Sequence, residues 1–301
     1  ACMQAATDFY RNQLNQPAGK AGLDYLASRQ LSAETQAFFE LGVAPDAWQA
    51  LENHLTQQGF SQGMLVELGL SVERESNSGQ QTERRTYDRF RHRVIFPLRN
   101  LKGQIVGFGG RVLDDSKPKY LNSPETPLFH KSEELYGLYE ARKSPGRLEK
   151  LLVVEGYMDV IALAQQGINY AVATLGTSVS EQHLRTSFRL VNQLVFCFDG
   201  DAAGQQAAIR ALHTLLPLMQ GGRQARFLFL PAGEDPDSLV KKEGAGRFEQ
   251  RINLAQPFAE FLLSHLKQGL ILSLLDDQAK LAQLAQPLIN TLPASLIKPR
   301  L

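Results

Sequence analysis

One stretch limits what this chain can become. Residues 194–204 read LVFCFDGDAAG: the apolar run Leu194-Val195-Phe196-Cys197-Phe198 stops at Asp199-Gly200-Asp201, and Ala202-Ala203-Gly204 opens a helical pattern. A short apolar run bounded by turn residues reads as a buried strand. Side chains alternate along a strand, so two carboxylates two residues apart at its end can point the same way. Gly200 lets backbone come close to whatever sits there. A strand end running into a helix is where open α/β sheets place their ligands. Two hard oxygen donors side by side fit Mg²⁺ and, behind it, phosphate chemistry. The plainer alternative is a turn whose aspartates cap the next helix. The stretch alone leaves both open.

The flanking chain supplies the setting. Residues 1 to about 60 read as helices: Leu23, Leu26 and Leu31 recur at helical spacing, Ser32 followed by Glu34-Thr35 marks a helix start, and Trp48 and Leu51 continue the apolar face. Residues 73–83 are polar and glycine-containing, an expected exposed loop. From Phe90 the period changes. Arg93–Leu98 and Gln104–Leu113 read as two strands joined by a turn at Asn100–Gly103, with Arg111 just past Gly109-Gly110. The stretch 117–126 reads as a loop, and Lys143–Gly146 breaks the pattern. Strands and helices then alternate from Leu151 to Glu243, which predicts a mostly parallel sheet covered on both faces. Beyond Gly246 the leucine-rich segments are helical, punctuated by Pro257, Pro287 and Pro293. The expected organisation is a mixed α+β N-terminal subdomain (1–147), an α/β domain (148–245) and a small helical subdomain (246–301).

Charge divides along the same lines. From Arg84 to Lys131 there are eleven Lys/Arg against four Asp/Glu, whereas Leu151 to Val240 holds eight acids against five arginines. A basic segment beside an acidic one suits a polyanion on one surface and metals on the other, although chance clustering on solvated faces gives the same count. No apolar run is long enough to span a bilayer, and the N-terminus carries no signal-peptide pattern. Two cysteines make no disulfide framework and exclude an internal cysteine zinc site, so a reducing cytoplasmic setting is expected. Cys197 reads as a small buried hydrophobe, and Cys2 lies at an end expected to fray.

The acids of the α/β region are not scattered. Glu155 follows the first strand, Asp199 and Asp201 the third, and Glu234-Asp235-Pro236-Asp237 the fourth. Parallel strands would put all three positions on one edge of the sheet, with Asp159 one helical turn after Glu155. Like charges packed so closely are tolerable if cations neutralise them or protons are taken up. That favours a metal site over three successive accidents of capping. One or two Mg²⁺ held there could orient a triphosphate, activate a hydroxyl and stabilise a leaving pyrophosphate.

The pattern Val154-Glu155-Gly156-Tyr157-Met158-Asp159, Leu175-Gly176-Thr177, Phe198–Gly204 and Glu234–Leu239 resembles the Toprim domain of the bacterial DnaG-type DNA primase family. The flanking stretches Tyr25–Arg29, Arg93–Pro97, Gly107–Arg111 and Lys119–Thr126 resemble, in matching order, the N-terminal part of that family's RNA polymerase core. The resemblance implies a Toprim-type mostly parallel sheet flanked by helices. It implies an enzyme that makes short RNA primers on single-stranded DNA from ribonucleoside triphosphates. Glu155 would be the base or metal-organising acid. Asp199, Asp201 and Asp235 would be the principal metal ligands, with Asp159 and Asp237 in support. The metal would be Mg²⁺, with Mn²⁺ as a substitute. Arg29, Arg111, Lys119 and Lys131 match basic positions along the family's template and nucleotide groove. Gln30 departs from the family, which usually has Gly after that arginine.

The resemblance further implies a cytoplasmic protein at the replication fork, with no membrane partner. The family's N-terminal zinc ribbon is absent, and so is its C-terminal domain that binds the replicative helicase. An excised catalytic core is therefore expected, with weak template affinity and poor initiation. Two alternatives stand beside this reading. One is a Toprim-type metal-dependent nuclease or topoisomerase fragment, although a topoisomerase needs a tyrosine-bearing gate domain for which there is no room. The other is a non-catalytic single-stranded DNA-binding module, which leaves the acidic cluster unexplained.

Overall fold

A computed structural model of the chain describes residues 1–74 and 85–293. It divides into two compact units, Ala1–Tyr139 and Glu140–Leu301.

Unit 1 contains α1 (Cys2–Gln13), α2 (Lys20–Ser28), α3 (Ala33–Phe38), β1 (Gly42–Ala44), α4 (Ala50–Gln57), α5 (Gln62–Glu67), β2 (Ser71–Arg74), β3 (Arg85–Asp88), β4 (Arg93–Arg99), β5 (Ile105–Val112) and β6 (Tyr120–Asn122). Four strands form an antiparallel sheet in the order β1-β4-β5-β6, and β2 pairs with β3. The expected hairpin is β4–β5. Its turn is built by Asn100, whose Oδ1 accepts from the N–H groups of Lys102 and Gln104, with Gly103 at φ 83°. The core lies between α1 and the sheet, where Tyr10 meets Phe108 edge-on at 5.4 Å.

Several expectations for this unit change. The first 60 residues are not all helical, because β1 is a three-residue strand too short to show a period. A short strand, β6, also lies inside the expected 117–126 loop. Cys2 does not fray: it is buried within α1 against the core. Trp48 is 62% exposed and does not belong to the apolar face that buries Leu51. Glu73 and Arg74 belong to β2, and the rest of the expected 73–83 loop lies outside the described residues.

Unit 2 contains α6 (Leu138–Lys143, which starts just before the division), β7 (Lys150–Val154), α7 (Tyr157–Gln165), β8 (Ala171–Ala173), α8 (Glu181–Phe188), β9 (Gln193–Phe198), α9 (Ala202–Leu215), β10 (Gln224–Phe229), α10 (Pro236–Glu243), α11 (Ala245–Asn253), β11 (Gln256–Pro257), α12 (Phe258–Lys267) and α13 (Leu275–Thr291). The sheet order is β11-β10-β9-β7-β8, with β8, β7, β9 and β10 parallel and β11 antiparallel at the edge. Crossover helices force this arrangement, since parallel neighbours need long connections.

The period-two phenylalanines of β9 and β10 pair in register, Phe196 with Phe227 and Phe198 with Phe229, and their rings stack. Phe261 of α12 lies 4.3 Å from Phe227 and extends the stack. The strand pattern does not stop at Gly246, because Gln256-Pro257 adds the edge strand. Pro287 does not punctuate: α13 runs through it on an exposed face, where the solvent satisfies the carbonyl the proline leaves unpaired. Residues 294–301 of the expected last helix lie outside the described residues.

Candidate active site

Unit 2 places the acids at the carboxyl ends of three adjacent parallel strands. Glu155 follows β7, Asp199 and Asp201 follow β9, and Asp235 and Asp237 open the helix after β10. Two glycines make the junction after β9 possible. A Cβ on Gly200 would stand 2.0 Å from the Leu230 carbonyl oxygen, and one on Gly204 2.1 Å from that of Asp199. The backbone that Gly200 lets in is therefore that of the next strand's end rather than a ligand.

The capping reading holds for two of the aspartates and leaves room for the metal reading. One oxygen of Asp201 accepts from Gly204 N–H at 2.7 Å and caps α9, and one oxygen of Asp235 accepts from Ser238 N–H at 2.7 Å and caps α10. Asp159 Oδ2 accepts from Gly156 N–H at 3.0 Å at the start of α7. Three helix N-termini thus underlie the acidic edge, and their positive ends help to hold it. Capping engages one oxygen each on Asp201 and Asp235 and leaves the second available. Glu155 and Asp199 make no side-chain hydrogen bond among the described residues. Asp237 is buried and pairs with Lys241 at 2.6 Å, and Glu234 is tied to Lys242 and Ser238.

The carboxylates feel one another. Burial, then Asp199 and Asp201, raise the Glu155 carboxyl above its ordinary range. Burial, then Asp235 and Asp201, raise Asp199. Asp159 is pushed up to about 8, by burial first and then by Asp235, Asp199 and Asp237. This all-oxygen donor set with excess negative charge fits a hard divalent cation, whose binding would relieve the repulsion. Among the described residues no group of three or more of these side chains is placed to hold a metal ion by itself. Among the described residues no cysteine or histidine joins the cluster. Cys197 is buried in β9, where burial holds its thiol well above the usual range.

Beside the acidic edge, Glu155, Thr174, Thr177, Ser178, Phe196 and Arg210 help to line a cavity of about 380 Å³. Arg210 of α9 bonds Ser178 Oγ through Nε at 3.2 Å, and its charge opposes the upward shift of Glu155. Nothing in the sequence singles out Arg210, because it reaches Glu155 only through the packing of α9 on the sheet.

In unit 1 the structure brings together two of the four predicted basic residues. The guanidinium centre of Arg111 lies 4.2 Å from the centroid of the Tyr25 ring and that of Arg29 5.5 Å from it. Lys119 is exposed next to Tyr120, which pairs with Arg111 across β6–β5. Lys131 is half-buried, and its N–H donates to Glu125 Oε1 at 3.1 Å, while the other Glu125 oxygen meets His130 at 3.1 Å. The basic count overstates the surface charge. Arg93 is buried and donates to the carbonyls of Gly110, Pro118 and Lys119, Arg89 donates to that of Asn122, and Arg99 pairs with Glu40. Sequence reasoning missed an exposed stack. Arg91 lies 4.0 Å over Trp48 and 4.9 Å over Tyr87. Gln30 adopts φ 60°, a left-handed conformation that favours glycine.

Comparison with known proteins places both units. A family model described as DNA primase catalytic core, N-terminal domain, matches residues 9–142, and a Toprim-like model matches residues 152–240. A DNA primase of Pseudomonas putida is 52% identical over 298 residues, covering 98% of this chain and 44% of that protein. The Escherichia coli primase catalytic core superposes with a TM-score of 0.91 at 47% identity, covering 99% of this chain and 93% of that one. A DnaG primase catalytic domain bound to single-stranded DNA superposes with a TM-score of 0.89 at 47% identity, covering 99% and 94%. The chain spans about half the length of the curated relatives it matches. Among the described residues, no helix is long and apolar enough to cross a membrane.

Proposed function

Because the chain belongs to the catalytic-core family of bacterial DnaG-type DNA primases, we propose that it carries out primase-type nucleotidyl transfer: template-directed synthesis of short RNA primers on single-stranded DNA from ribonucleoside triphosphates. The observation that carries this reading is the set of mutually coupled carboxylates at the ends of β7, β9 and β10. A non-catalytic DNA-binding module has no use for a cluster that costs folding energy.

In this proposal residues 1–147 contact template and nucleotide, residues 148–245 hold the carboxylates, and residues 246–301 support that domain. Asp199 and the uncapped oxygens of Asp201 and Asp235 would hold a divalent ion, Mg²⁺ or Mn²⁺, with Asp159 and Asp237 in support, and the ion would supply charge neutralisation and a lowered pKa for the attacking hydroxyl. Glu155, raised above the ordinary carboxyl range, is suited to accept a proton from the attacking 3′-hydroxyl. Arg29, Arg111, Lys119 and Lys131 bind phosphates of the template and of the incoming nucleotide and so orient the reactants. In this proposal the partner is the replicative helicase and the setting the bacterial cytoplasm at the fork.

The test is ribonucleotide incorporation on a single-stranded template, with and without Mg²⁺ or Mn²⁺. Metal-dependent product is expected from the wild type and none from Asp199→Asn, which should still bind single-stranded DNA. DNA cleavage without nucleotides would favour a nuclease, and retained synthesis in Asp199→Asn overturns the proposal.

A further inference from the structure

Tyr25 lies on α2, Arg29 caps the same helix, and Arg111 comes from β5 in the sheet. Both guanidinium centres fall within 6 Å of the Tyr25 ring centroid, at 4.2 Å and 5.5 Å. Cations that share one ring lie within about 10 Å of each other and repel. A ring with a negative face holds each of them and offsets part of that repulsion. The ring is what matters here, since Tyr25 Oη is buried without a hydrogen-bond partner. Arg111 has no carboxylate partner among the described residues. Its Nη1 donates to the adjacent Val112 carbonyl at 2.7 Å, and its Nε is buried with no acceptor. A buried guanidinium N–H without an acceptor is costly unless an acceptor arrives with a ligand.

We propose that Tyr25 is a positioning residue whose ring holds Arg29 and Arg111 side by side as one two-pronged clamp for a phosphate group. The inference rests on the reading of those two arginines as phosphate contacts and adds the residue that makes them a unit. The two prongs cannot be set by their own helix and strand alone, because arginine side chains are long and flexible. Stacking on a shared ring removes that freedom before the anion arrives, which reduces the ordering cost of binding. The phosphate comes either from the template backbone or from a nucleotide's triphosphate tail, and both present the same tetrahedral oxyanion.

Two probes distinguish the sources: a labelled single-stranded DNA oligonucleotide and inorganic tripolyphosphate, each titrated against the whole chain. Tyr25→Leu keeps apolar volume but removes the aromatic face. It is expected to weaken binding of one probe by about tenfold. Arg111→Ala should weaken the same probe, and the double variant should be little worse than either single one. Tyr25→Phe keeps the face and should restore binding. Thermal melting of each variant separates this from unfolding.

Wild-type affinity for both probes in folded Tyr25→Leu, with Arg111→Ala weakened, overturns the clamp and leaves the arginines as independent contacts. Additive losses in the double variant overturn it as well. If Arg111→Ala changes neither probe, the clamp fails together with the phosphate reading beneath it. Neither probe requires synthesis, so a chain that makes no primer can still show the coupling, and the proposed function then fails alone.

Discussion

At the ends of β7, β9 and β10, like charges are packed together and held by backbone: helix N-termini and capped oxygens tolerate them, but burial and mutual repulsion still lift the carboxyls of Glu155, Asp159 and Asp199. In unit 1 like charges are held by side chains, with Arg29 and Arg111 on Tyr25 and Arg91 on Trp48 and Tyr87. The first arrangement stores unfavourable electrostatics that a cation relieves. The second lays each cation on a ring, which offsets part of their repulsion. Metal should therefore act mainly on unit 2 and salt mainly on the proposed phosphate contacts of unit 1, whereas pH acts on both, because burial also lifts Asp88 to about 6 and Glu134 to about 7 in unit 1.

The largest effect should break the acidic edge. Asp199→Asn is expected to lower incorporation by roughly a thousandfold or more while single-stranded DNA binding stays within about twofold. Equal loss of binding and synthesis would show that the two charge groups are not separable.

Next comes the stored repulsion itself. Asp159 titrates near 8 when folded and near the ordinary carboxyl value when unfolded, so between about pH 4 and 8 the folded state holds a proton the unfolded state lacks. Without divalent ions, stability should fall as pH rises through that window and level off above it. At pH 8 a saturating Mg²⁺ concentration of about 100 times its Kd should restore roughly 2–3 kcal/mol. Asp199→Asn should blunt the gain. Calorimetry across pH with and without Mg²⁺ checks this, and a flat profile would contradict it.

A smaller effect belongs to the basic side. Arg111→Ala should weaken phosphate-ligand binding by about tenfold and, if the ligand is DNA, lower the slope of log K against log salt by about one. Anisotropy titrations over a salt series measure it, and an unchanged slope assigns Arg111 away from the DNA backbone. The smallest effect is purely conformational. Gln30 sits at φ 60°, so Gln30→Gly should stabilise unit 1 by about 0.5–1 kcal/mol or less, read as a small rise in Tm with binding unchanged.

The site was legible where its signals are local. Alternation along β9, the abrupt stop at Asp199 and the helix start at Ala202 all lie within a dozen residues, and repetition of that layout at Glu155 and Asp235 made the strand ends converge. The capping of α9 and α10 is also readable, and it leaves room for the metal reading because a carboxylate has two oxygens. The position of Gln30 could be suspected from the glycine it replaces. Errors came where local propensity met long-range packing. Trp48 reads as part of the apolar face beside Leu51, but it stacks with Arg91 in the open. Pro287 reads as a break, yet α13 runs through it on an exposed face, where the carbonyl it leaves unpaired can reach water.

By itself, then, the sequence determined the alternation of strands and helices, the three acidic strand ends and the basic composition of the N-terminal half, since each depends on periods of two to four residues or on counting. Tertiary structure alone decided which charges act. It tied Arg93 and Arg89 to carbonyls, joined Arg29 to Arg111 through Tyr25, and set Arg210 near Glu155. Those pairings join elements far apart in the chain, and electrostatic coupling depends on distance and burial, which folding sets and spacing along the sequence does not.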